Sequence, residues 1–175
     1  MNNKLLSALA VSVAIASAPA LAQDTAPPPI TLGNGEQNMI VMEGLTASDA
    51  PSTFATVRMD GDTLTSFRAN TTALVFPSVT IEKAGWLVLH PVIDGRPDGD
   101  MVSGFTYLDA GTTENATIMV DHPADPGDKF LVMMHSDVDE DKVFDFVFVE
   151  DGINVEDKAV FEGTTMVAHI FAVPE

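Results

Sequence analysis

The chain has 175 residues, of which 26 are acidic and 8 are Lys or Arg, so its net charge is −18 at pH 7, and it contains no cysteine. A surface this acidic repels nucleic acid and anionic lipid and attracts cations. The absence of thiols excludes disulfides, thiolate metal sites and cysteine nucleophiles, while 46% hydrophobic residues suffice for one domain with a full core.

Residues 1–22, MNNKLLSALAVSVAIASAPALA, read as a signal peptide. Lys4 is the positive n-region, residues 5–16 are apolar, and Ala20-Leu21-Ala22 is an A-x-A site that places cleavage before Gln23. The apolar run is short for spanning a bilayer, and no later stretch is apolar for long enough. The expectation is an exported chain, periplasmic or extracellular, with no transmembrane segment after maturation. No nucleic-acid partner is expected. A protein or cell-surface partner is open.

Residues 23–50 begin with Ala26-Pro27-Pro28-Pro29 and Gly33-Asn34-Gly35, the composition of a Pro/Gly-rich linker, and 39–42 is a possible first strand. Residues 51–175 read as the folded domain. Strand patterns occur at 54–59, 73–81, 86–90, 101–108, 113–120, 130–135 and 164–173. They are separated by turn signals such as Asp60-Gly61-Asp62, Lys83-Ala84-Gly85 and Asp109-Ala110-Gly111. Short strands at this spacing predict an all-β, immunoglobulin-like antiparallel β-sandwich, with a small β-barrel as the alternative. Alternation nominates Trp86, Leu87 or Val88, Tyr107, Ile118, Leu131 and Phe171 for the core.

Four blocks then occur in order: VTIEKAGWLVLHP (79–91), GFTYLDAGTTENATIMVD (104–121), KFLVMMHSDVDEDKVFDF (129–146) and TTMVAHIFAV (164–173). Together they resemble a DUF7282-like family, an uncharacterised domain of exported and cell-surface proteins in haloarchaea and some bacteria. The resemblance rests on Tyr107, Leu108, Ala110, Gly111, Glu114 and Asn115 in the second block, and on His135, Asp137, Phe144, Asp145 and Phe146 in the third. It implies a small exported β-sandwich and brings no activity or ligand with it. The chain departs from the family at Glu140 and Lys142, where members often carry Asn and Gly.

The sharpest local feature is the acidic run from Asp137 to Asp145. Asp137, Asp139, Asp141 and Asp145 occupy positions one, three, five and nine of a calcium-type loop, in which alternate carboxylates point at one hard cation. Against that, position six is Lys142 instead of glycine and position twelve is Phe148 instead of a bidentate Glu; Glu150 or Asp151 could supply further ligands. The competing reading is a solvated acidic hairpin tip. His90, His122, His135 and His169, with Met133 and Met134, raise a weaker case for copper, since no two histidines share a short ligand spacing. His135-Ser136-Asp137 cannot form a triad as strand neighbours, because alternate residues face opposite sides. No catalytic motif is present, so no enzyme is expected. Asn70-Thr71-Thr72 and Asn115-Ala116-Thr117 match the N-glycosylation pattern. The favoured reading is a non-catalytic exported envelope or surface module, with calcium as a candidate stabilising ion and no required cofactor. The alternative is a periplasmic metal-binding protein, calcium ahead of copper.

Overall fold

The computed structural model describes residues 29–52, 56–67, 70–145, 149–150, 153–154 and 156–175. The signal-peptide stretch, 1–22, lies outside them. Among the described residues all regular structure is β. In chain order the strands are β1 (Thr31–Gly33), β2 (Met39–Ile40), β3 (Thr46–Pro51), β4 (Thr56–Asp60), β5 (Thr63–Phe67), β6 (Asn70–Ile81), β7 (Gly85–Ile93) and β8 (Arg96–Pro97). They continue with β9 (Gly104–Leu108), β10 (Gly111–Met119), β11 (Lys129–Ser136), β12 (Val149–Glu150), β13 (Ile153–Asn154), β14 (Phe161–Glu162) and β15 (Thr165–Ala172).

One sheet runs β1-β15-β11-β7, with β8 and β9 also on β7 and β14 on β15. The other runs β10-β6, with β2 and β3 on the far side of β6. β4 with β5 and β12 with β13 are separate hairpins. The larger sheets are distinct and pack face to face as an immunoglobulin-like sandwich, not a closed barrel. β10 presents Ala116 and Ile118 inward. Leu87 and Leu89 on β7, and Phe130, Val132 and Met134 on β11, meet them there, in the period-two alternation that a strand with one core face requires. Phe76 sits at the centre, with the Phe171 ring edge-on at 5.9 Å. Because Ile118 is fully buried, Ile118→Val is expected to cost about 1 kcal/mol, the usual penalty for one lost methylene. A urea melt should show a lower midpoint at unchanged slope, and an unmoved midpoint would contradict this packing.

β6 changes phase within its length. Leu74 and Phe76 are buried, then Val79 and Ile81. The change falls at Pro77, which lies between the rungs of β3 and those of β2 and has no N–H to give a ladder. Across the sheet the rung opposite Pro77 is also missing, and Asn115 there takes a left-handed φ of 54°. Asn is the ordinary residue that tolerates this region best, which gives Asn115 a backbone role.

Two expectations are redrawn. The stretch read as a linker with one possible strand carries β1, β2 and β3, which join both sheets: β1 lies parallel to β15, and β2 and β3 lie antiparallel to β6. Glu162 fixes this segment. Its carboxylate accepts the backbone N–H of Glu36 (2.6 Å) and Asn38 (2.8 Å) and the Asn38 side-chain amide (2.8 Å). The Asn38 amide above all, with these N–H groups, holds the Glu162 carboxyl below its ordinary range. Such pairings, across 124 to 126 positions, leave no local pattern to read.

The second concerns the core nominees. Leu87 and Ile118 lie between the sheets, and Phe171 packs against that core. Trp86 and Leu131 are buried, yet they lie on the outer face of the β7–β11 sheet, as alternation from Leu87 and Val132 dictates. There Trp86 meets the rings of Tyr107 (5.0 Å), Phe105 (5.6 Å) and Phe144 (5.6 Å). Phe144 comes from the chain that follows β11, so the acidic loop folds back onto this outer face and helps to cover it.

Candidate cation site

β7 and β11 deliver the loop. Gly85 opens β7 against the end of β11, where an added Cβ would stand 2.2 Å from the His135 carbonyl oxygen. Only glycine permits that approach, and it brings the Asp137 N–H to the Ala84 carbonyl at 3.4 Å. The residues that follow turn tightly. Asp137 accepts the Lys142 N–H (3.2 Å) and Asp141 accepts the Val143 N–H (2.7 Å). Glu140 and Lys142 both take φ of 61°, the left-handed region. Position six of the loop thus has the conformation for which calcium loops use glycine, although the residue is Lys142.

This turn gathers one carboxylate oxygen each from Asp137, Asp139 and Asp141 within 4.8 Å of one another. Asp139 and Asp141 are exposed; Asp137 is 8% exposed, and its Oδ1 is buried with no hydrogen-bond partner. Three like charges this close repel, and burial of one sharpens the repulsion by lowering the local dielectric. A buried carboxylate oxygen without a donor is costly unless something positive meets it. Lys142 does not fill that role: its Nζ pairs with Asp109 at 3.6 Å and lies 4.8 Å from the centre of the Tyr107 ring. A cleft lined by Glu82, Lys83, Tyr107, Asp137, Glu140 and Lys142 opens beside the loop.

Asp145, the fourth expected ligand, is not in the three-carboxylate group. Its backbone closes the loop instead: its N–H donates to the Asp157 carboxylate (3.1 Å), and its carbonyl accepts the Asp157 N–H (2.8 Å). Asp157 went unnoticed in the sequence, as one more acid in an acidic chain far from the run. It is 1% exposed, and its other carboxylate oxygen accepts the Val138 N–H at 3.0 Å. Burial pushes the Asp157 carboxyl above its usual range; the two N–H donors oppose the shift, and the charges of Asp137 and Asp145 add to it. Phe148, Asp151 and the Glu150 side chain lie outside the described residues.

The histidines divide. His90 and His135 lie on the outer face with rings 5.7 Å apart; their Nδ1 atoms donate to the carbonyls of Met101 and Asp157, both at 2.7 Å. His122 pairs with exposed Asp121, and His169 bonds the Asn34 side chain. Met133 is on the outer face and Met134 in the core. Ser136 Oγ donates to the Lys158 carbonyl at 3.2 Å, so His135 and Ser136 each serve the backbone of the segment that follows the loop.

A domain family of unknown function, DUF7282, matches residues 55–170. The chain belongs to this family. The match takes in the acidic loop and most of both sheets but begins after β1, β2 and β3, which pair with β15 and β6. Two relatives are cell surface glycoproteins 1 and 2 of the archaeon Haloarcula hispanica, 29% and 30% identical over 91 residues. The aligned stretch is 49% of this chain and 10% of each relative, so the chain spans about a tenth of their length. No solved structure matches significantly. Among the described residues no helix is long and apolar enough to cross a membrane.

Proposed function

We propose that the chain is a non-catalytic, exported surface module whose acidic loop binds a divalent cation, calcium before any other, through Asp137, Asp139 and Asp141. The observation that carries the cation is the convergence of three carboxylates around the buried, unpartnered oxygen of Asp137. Calcium suits an all-oxygen set on an irregular loop, because it accepts six to eight oxygens in flexible geometry and takes water for the rest. Copper prefers softer donors than carboxylates. The likeness to two cell surface glycoproteins supports the surface setting and a structural role. In such a role the ion would brace the loop that covers the outer face of the β7–β11 sheet.

Calorimetric titration of the full chain with calcium chloride tests the reading, with the emission of Trp86 as a second readout. Trp86 is the chain's single tryptophan, and its ring lies 5.6 Å from that of Phe144. A saturable one-site response, lost in Asp139→Asn, is expected; no response in either readout would end the proposal. Lys142→Gly is expected to tighten calcium binding several-fold. It removes a positive charge from the loop and places at a φ of 61° the residue that adopts it without strain. Unchanged or weaker binding would show that the tether of Lys142 to Tyr107 and Asp109 matters more than its charge.

A further inference from the structure

We infer that Asp157 is the positioning residue of this site, the buried group that holds the three carboxylates together; the inference rests on the cation reading above. Asp157 makes four hydrogen bonds, all to the loop or to the end of β11. Oδ1 accepts the Val138 N–H, next to Asp137, and Oδ2 accepts the Asp145 N–H at the far end. Its own N–H donates to the Asp145 carbonyl, and its carbonyl accepts His135 Nδ1. Both ends of the loop are therefore tied to one buried residue; Asp139 and Asp141 lie on the span between the ties, and Asp137 immediately precedes the first of them.

The physical consequence is preorganisation. Carboxylates on an untethered loop separate under their mutual repulsion, and a cation must then meet the cost of drawing them together. With the ends clamped by a residue 1% exposed, the fold bears that cost before any ion arrives. Burying a carboxylate is unfavourable unless its oxygens are hydrogen-bonded, and here both are used on loop N–H groups. An alanine there would orphan two donors as well as free the loop. Outer groups that orient metal ligands weaken metal affinity by about 10- to 100-fold when replaced.

The test is calcium titration at constant ionic strength of the full-length wild type, Asp157→Asn and Glu156→Gln. Asp157→Asn keeps the shape of the side chain but can accept only one of the two N–H bonds. It is expected to weaken the calcium Kd about 10-fold or more. Glu156→Gln removes a neighbouring charge, and neither N–H bond of the Asp157 carboxylate involves Glu156, so its Kd should stay within about threefold of wild type, the loss of one nearby charge being screened by salt. Equal weakening in the two variants would assign the effect to charge and overturn the positioning role; so would a wild-type Kd in Asp157→Asn. Should Asp157→Asn fail to fold, amide exchange on the wild type decides. Calcium should slow exchange at Val138 and Asp145 together, and unchanged rates at both would overturn the clamp. Wild type that binds no calcium refutes the cation reading itself, a result separate from either of these.

Discussion

In calcium, the folded chain is expected to melt roughly 5–10 °C above its melting temperature in sodium chloride of the same ionic strength. An ion that binds only the folded state stabilises by mass action, by about 2.7 kcal/mol at a hundred times its dissociation constant. Sodium controls for screening, which relieves repulsion across the whole surface of a chain with net charge −18. The specific gain should come from Asp137, Asp139 and Asp141, whose oxygens lie within 4.8 Å of one another. Asp139→Asn should therefore melt at nearly the same temperature in both salts. Equal melting of the wild type in the two salts would sink the site. A calcium-specific rise that survives Asp139→Asn would place the ion elsewhere on this acidic surface.

Acid should unfold the chain in a window set by histidine as well as by carboxylates. Burial pushes the His135 imidazole down to about 4, with the Asp157 carbonyl and Glu156 working against the shift and His90 adding to it. Burial also lowers His90, against the pull of the Met101 carbonyl and Asp98. The folded-state pKa of His135 lies below its unfolded value, so its contribution is complete above pH 6.5 and is lost as the pH falls from 6.5 towards 4. Across that window the unfolded chain takes up a proton that the folded chain refuses. A shift of this size corresponds to about 3 kcal/mol. Urea melts at pH 7, 6, 5 and 4, with chelator present, should show it. His135→Asn keeps a donor near the Asp157 carbonyl but does not titrate, so its stability should fall less steeply over the same interval. Parallel curves for the two proteins would assign the acid sensitivity to other groups.

Composition and alternation determined a good deal by themselves. The all-β class and the course of β6, β7, β10, β11 and β15 follow from short apolar runs between turn signals, since a strand with one core face must repeat every two residues; the sandwich instead of the barrel was decided by the pairing of strands into two distinct sheets. The acidic run was equally plain, because its chemistry lies in neighbouring residues. What lay beyond local pattern was every feature made by distant partners. β1 is three residues long and is a strand only because β15 lies beside it, with Thr31 opposite Thr165. Trp86 is core-like by composition, but which side of β7 it faces matters only once Phe144 covers that side. Asp157 looks like any other acid until the fold buries it beneath Val138 and Asp145. Lys142 argued against a calcium loop by its identity, whereas its left-handed backbone supplies the turn that glycine would. Periodicity reports the face a residue shows to its own sheet; what meets that face is decided by chain closure across the whole length, which only the tertiary structure contains.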